Sequence, residues 1–386
     1  MEQRTKNILF ALIRSAISGK KLTDEERSSF SRERLEELIK LSAKHDVDHL
    51  VAFGLKQNGL LEKEDAPIEK CVLKAVFRHQ QLKYEVERLT AALEAKGIAF
   101  MPLKGTVLRG YYPQGWMRTS CDIDVLVHRE QLDDAIAYLK SELKYTEGER
   151  ATHDVSLFSP SGNHIELHFD LVEEGRANSA AEVLSSVWSD ARLCEGSEYK
   201  YEMSDAFFYF YHIAHMAKHF ECGGCGIRPF VDLWILDALD GVDIAARDGL
   251  LEKGGLLKFA NAARELSGVW LGGREECELT ERLGGFLLHG GAFGSSDNRV
   301  ALQQKKRGGK FGYLMSRLFI PYSKLKLYYP VLEKHRWLTP VMQVRRWFML
   351  LRPDVAKRAK GEIAANKNIK QSDAENMRAL MDDIGL

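Results

Sequence analysis

The chain has no excess of either charge. Lys plus Arg and Asp plus Glu each total 55 in 386 residues, so global electrostatics draw it neither to nucleic acid nor to an anionic membrane. Cysteine is sparse. Cys71, Cys121, Cys194, Cys222, Cys225 and Cys277 are too few and too scattered for a disulfide framework. No run of about 18 uninterrupted apolar residues occurs, which argues against a transmembrane helix. The apolar stretch "NILFALIRSAISG" is interrupted by Arg14 and preceded by Arg4 and Lys6, which suits an amphipathic helix better than a signal peptide. No internal repeat is visible. The expectation is a cytoplasmic protein of two or three domains, with 45% apolar residues to supply their cores.

Periodicity then divides the chain. Residues 1–95 read as helical. "SRERLEELIKLSAKHDVDHLVAFGLKQNG" has apolar residues three and four apart, a serine placed as an N-cap, and a closing Asn-Gly. "EKCVLKAVFRHQQLKYEVERLTAALEAKG" is a second long helix, stopped by Gly97. Residues 96–175 change character. "IAFMPLKG" is a strand ending in glycine, "TVLRGYY" a short helix, "CDIDVLV" a strand and "REQLDDAIAYLKSEL" an amphipathic helix. "DVSLFSP" and "HIELHFDLV" form a hairpin around "SGN". This order predicts an α+β fold, a small mixed sheet with helices on one face. From 176 to 386 helices return in "DAFFYFYHIAHMAKHF", "RPFVDLWILDAL" and "GLLKFANAARELSGVWL".

The strand "CDIDVLV" poses the chemical question. Successive side chains of a strand alternate, so Asp122 and Asp124 share a face, about 7 Å apart. Two carboxylates there repel unless that face is wet or a cation compensates them. In "HIELHFDLV" the same period puts His164, Glu166, His168 and Asp170 on one face. If the two strands are neighbours, Glu166 completes a three-carboxylate cluster. Hard oxygen donors favour Mg²⁺ or Mn²⁺, and a pair of such ions suits phosphoryl or nucleotidyl transfer. Upstream, Lys104, Gly105 and Thr106 lie where a strand enters a helix. Glycine permits close backbone approach to a phosphate, Thr106 adds a hydroxyl, and Lys104 or Arg118 adds positive charge.

This ordered set resembles the nucleotidyltransferase superfamily related to DNA polymerase β, which has a Gly-Ser or Gly-Gly turn, an Asp-x-Asp pair and a third acid on a later strand. More narrowly, "PLKGTVLRGYYPQGWMRTSCDIDVLV" followed by "IELHFDL" is similar to a bacterial family known as uncharacterised nucleotidyltransferases. Its Leu-Lys-Gly turn, Arg-x-x-x-Asp-Ile-Asp strand and later Leu-His ending match within residues 98–172. Thr106 stands where the wider superfamily has Ser or Gly. The resemblance implies transfer of an NMP from an NTP to a hydroxyl of an unidentified acceptor, with release of pyrophosphate. Asp122, Asp124 and Glu166 would hold the Mg²⁺ or Mn²⁺ ions, and Glu166 would help deprotonate the acceptor. Lys104, Gly105, Thr106, Arg118, His168 and Arg228 would bind the nucleotide. The acceptor is left open among small molecules, sugars and proteins. The alternative is an inactive nucleotide-binding or nucleic-acid-binding protein that keeps the fold; a phosphohydrolase using the same acids is a further rival.

Three other patterns compete with blander accounts. His212, His215 and His219 share a helix face ahead of Cys222 and Cys225, but the spacing matches no common zinc module. Arg228 and Asp232 lie four apart, which is either an intrahelical ion pair or a phosphate-binding arginine oriented by its neighbour. Residues 301–360 hold fifteen Lys/Arg against two Asp/Glu, with aromatics interleaved. A solvated basic face with apolar residues turned inward is the leading reading, an acidic substrate the second. Nucleic acid or membrane comes third, since no known nucleic-acid module is present.

Overall fold

The computed structural model describes residues 3–173, 177–292, 294, 296–306, 309–349, 366 and 371–386. Helices α1 (Gln3–Ser18), α2 (Leu35–Lys44), α3 (Asp48–Gln57) and α4 (Ala66–Lys96) come first. Strand β1 (Phe100–Pro102) and the single-turn α5 (Lys104–Leu108) lead into β2 (Asp122–Val127) and α6 (Leu132–Glu142). Strands β3 (Thr146–Arg150), β4 (Asp154–Phe158) and β5 (His164–His168) complete the main sheet. The principal later helices are α7 (Asp205–Glu221), α8 (Arg228–Asp237), α9 (Leu257–Leu271) and α10 (Glu278–His289).

The sheet runs β1-β2-β5-β4-β3 and is mixed, with β2 and β5 parallel and the other neighbours antiparallel. Alternation decides its two faces. Ile123, Val125, Val127, Ile165 and Leu167 are buried against Leu82, Leu89 and Leu93 of α4 and Leu132, Ile136 and Leu139 of α6. Each such side chain contributes about 1.5–3 kcal/mol on burial. Gly97, with φ of 74°, closes α4 in the left-handed conformation that glycine adopts without a Cβ penalty. The other face carries the acids. Beside them Met101 and Leu126 join a second core with Leu9 and Leu12 of α1 and Phe207 and Phe210 of α7, so helices from before and after the sheet meet there.

Two expectations change. The predicted long helix near residues 31–57 is two, α2 and α3, because the chain turns at Asp46 with a left-handed φ of 57°. Aspartate tolerates that region better than most residues. The edge strand β3, "TEGER", was not anticipated. Four of its five residues are exposed, so it has no apolar alternation to read.

The basic segment also departs from the inward-facing arrangement. Leu325, Tyr329 and Leu332 do form a small core, but Phe311, Trp337 and Phe348 are exposed. Residues 307–308 and 350–360 of that segment lie outside the described residues. No helix among the described residues is long and apolar enough to cross a membrane.

Candidate active site

The register of β2 against β5 assembles the acids. Asp124 lies opposite Glu166, Asp122 opposite His164, and Leu126 opposite His168. Across the next pair, Asp154 of β4 lies opposite His168. The expected adjacency of the two acidic strands is therefore present.

A cation does sit among the carboxylates, and the chain itself supplies it. The Lys104 ammonium donates to Asp124 Oδ1 at 2.6 Å and lies 3.6 Å from Glu166 Oε2. Lys104 has a φ of 44°, a left-handed backbone that costs a non-glycine residue roughly 1–2 kcal/mol. The preceding Leu103 N–H donates to Asp124 O at 3.0 Å, tying this turn to β2. His168 Nε2 is 3.0 Å from Asp124 Oδ1 and 3.4 Å from Glu166 Oε2.

These contacts separate the acids electrostatically. Burial would raise the Asp124 carboxyl, but the Lys104 ammonium and the His168 hydrogen bond hold it well below the usual carboxylate range. Glu166 is lowered by its hydrogen bond with His168, against a smaller effect of burial. Asp122 goes the other way, raised by burial and then by the charges of Asp124 and Glu166. Burial works against protonated His168, yet its bonds to Asp124 and Glu166 raise its pKa.

The acids open into a cavity of about 400 Å³, walled on the helical side by Tyr211, His215 and Arg228. A second cavity, about 340 Å³, adjoins it and shares Lys104, His153, His168, Tyr211, His215 and Lys218. Gly105 lines the acidic cavity, where an added Cβ would stand 3.2 Å from Ser120 Cβ. Thr106 does not join it. Its hydroxyl is buried without a partner, and the residue lines a different cavity.

The cavity's two arginines each pair with an acid from a distant segment. Asp232 does not orient Arg228. It accepts from Arg118 Nε at 2.6 Å and from the Tyr112 hydroxyl at 2.7 Å, whereas Arg228 pairs with Asp46 at the α2–α3 turn. Arg118 lines the cavity with its charge already matched, and Arg228 lines it with a buried Nε that has no acceptor.

The histidines and cysteines do not assemble as a zinc module. His215 Nε2 and His219 Nε2 are 3.0 Å apart, Cys222 is exposed and Cys225 is buried. Among the described residues, neither cysteine belongs to a group whose ligand atoms converge.

Sequence reasoning overlooked Asp46, Tyr112, His153 and Asp154. The adjacent His-Asp in "THDVS", at the start of β4, was the available signal for the last two.

Comparison with known families adds one match. The model described as "Uncharacterised nucleotidyltransferase" covers residues 31–272, more than half the chain. The chain belongs to this family. The match takes in α2 and α3 before the sheet and α7 to α9 after it, so it extends beyond the sheet in both directions along the chain. No curated protein and no solved structure matches the chain.

Proposed function

We propose that the protein is a metal-dependent nucleotidyltransferase that moves an NMP from an NTP to a hydroxyl of an acceptor and releases pyrophosphate. The observation carrying this reading is the β2–β5 register, which sets Asp124 against Glu166 on the wall of a cavity. Two overlapping ligand sets, Asp124 with Glu166 and His168 and Asp122 with His164 and Glu166, each bring their ligand atoms within 4.8 Å. Their carboxylate oxygens suit Mg²⁺ or Mn²⁺. Such ions supply charge neutralisation to the triphosphate and a clamp on the reacting oxygens.

The chain's own groups do the rest. Gly105 allows the backbone to approach the phosphates, and the orphaned Arg228 Nε offers a donor to a phosphate oxygen. His168 holds Asp124 in place. Glu166, 26% exposed where Asp124 is 3%, is the carboxylate an incoming hydroxyl can reach to give up its proton. The acceptor enters through the adjoining cavity, which also reaches Lys104 and His168.

A second reading, nucleotide binding without turnover, draws on the Lys104 ammonium, which compensates Asp124 and Glu166 without any ion. Calorimetric titration of the four NTPs, with and without Mg²⁺, tests the main proposal on wild type and an Asp122→Ala/Asp124→Ala variant. Mg²⁺-dependent binding lost in the variant supports it. Equal binding by both, or none by wild type, overturns it. Labelled NTP then separates the readings, because only the enzyme yields pyrophosphate.

A further inference from the structure

Beside the carboxylates lies another convergence of ligand atoms, which shares only His168 with the nucleotide site. His153, at the entry to β4, Asp154, its first residue, and His168 of β5 bring one ligand atom each within 4.8 Å of one another. His153 Nδ1 is buried without a hydrogen-bond partner, and so is His168 Nδ1. His168 as a whole is 4% exposed. A buried ring nitrogen without a partner forgoes a hydrogen bond that would contribute about 1 kcal/mol, so two of them in one cluster call for an explanation.

Geometry points to the occupant. His153 Nδ1 lies 3.4 Å from Asp154 Oδ1, yet no hydrogen bond joins them, so the nitrogen is not aimed at the oxygen. His168 contacts Asp124 through its other nitrogen, Nε2, at 3.0 Å. A neutral histidine that donates one N–H to a carboxylate presents its second nitrogen as a lone pair, the arrangement that orients histidine ligands at metal centres, and a bound metal displaces any proton held there. The nearby Lys218 ammonium is paired with Glu173 at 2.5 Å, and Lys104 is engaged by Asp124, so neither is a bare charge opposing a cation.

We propose that His153 Nδ1, His168 Nδ1 and the Asp154 carboxylate form a site for a divalent transition metal of the zinc class, separate from the oxygen-rich site of Asp122, Asp124 and Glu166. Two imidazoles and one carboxylate suit zinc or cobalt, where the oxygen-rich set suits magnesium. Three protein ligands leave a coordination position open. His153 and His168 line both cavities. The inference does not depend on transfer activity.

The test uses the full chain, stripped of metal and held in excess Mg²⁺ to occupy the oxygen-rich site. Co²⁺ is titrated while its visible absorption is followed, and Zn²⁺ then competes. The expected result is one bound Co²⁺ per chain, displaced by Zn²⁺. In His153→Ala and in the isosteric Asp154→Asn, affinity should fall at least as far as the roughly 10–100-fold that loss of an outer-shell partner costs. Asp122→Asn and His219→Ala should bind as wild type does. Absence of Co²⁺ binding in Mg²⁺, wild-type binding by both His153→Ala and Asp154→Asn, or loss in Asp122→Asn or His219→Ala instead would overturn the assignment. Circular dichroism of each variant separates ligand loss from misfolding.

Discussion

Arg118 and Asp232 form a buried ion pair, Nε to Oδ1 at 2.6 Å, with side chains 8% and 0% exposed. It ties the approach to β2 to α8 across 114 residues. Tyr112 donates to the same oxygen at 2.7 Å. The pair belongs to the scaffold of the cavity, because Asp232 and Arg118 both line it.

Removing Asp232 leaves the guanidinium buried without its counter-charge. Asp232→Ala should therefore destabilise the fold by roughly 3–5 kcal/mol. Tyr112→Phe removes only one hydrogen bond and should cost about 1 kcal/mol. Urea unfolding of both variants checks the contrast; equal losses would mean that the ion pair carries no special weight.

Gly54 marks a close approach of α3 to α1. A Cβ there would stand 2.5 Å from Leu12 O, a backbone atom that cannot move aside cheaply. Gly54→Ala should cost about 1–3 kcal/mol, as overpacked sites do. Gly249, in the helix Ile244–Lys253, meets nothing within 4 Å. Gly249→Ala should be neutral or gain up to about 1 kcal/mol from helix propensity. The two alanines measured side by side in denaturant separate contact from propensity.

Lys104 compensates Asp124 and Glu166 from within the chain. Lys104→Met should lower the melting temperature without divalent ions, since the acids then repel uncompensated. Added Mg²⁺ should raise the variant's melting temperature more than wild type's. Equal Mg²⁺ effects in both would count against cation binding at these acids.

Acid should loosen the helical core through His45. The side chain is fully buried, and burial pushes its pKa down to about 4. The unfolded chain, with an ordinary histidine pKa near 6.5, binds this proton more readily than the folded one. Stability is complete above about pH 6.5 and falls as pH drops toward 4, by about 3 kcal/mol for this group alone. His212, His215 and His219 are lowered by burial as well and add to the slope, so unfolding measured from pH 7.5 to 4.5 should be shallower in His45→Leu than in wild type by this group's share.

Much of the site was legible because strand and helix periods are local. The period of two placed Asp122 and Asp124 on one face of β2, and Glu166 and His168 on one face of β5. The hairpin turn and Gly97 declared two of the boundaries. The helical stretches after residue 204 showed themselves by apolar spacing. Strand β3 stayed hidden because an exposed polar edge carries no pattern.

Charge pairing was decided by tertiary structure. Four-residue spacing suggests Arg228 with Asp232, yet packing gives Asp232 to Arg118 and Arg228 to Asp46, which the left-handed turn between α2 and α3 brings in from far upstream. Lys104, which the sequence offers as a positive charge for phosphates, is likewise met by Asp124 from twenty residues downstream. The sequence by itself determined which face each acid occupies, because backbone geometry alternates side chains over adjacent residues. Which cation meets each acid depends on contacts between distant segments, and those exist only once the sheet and helices have packed.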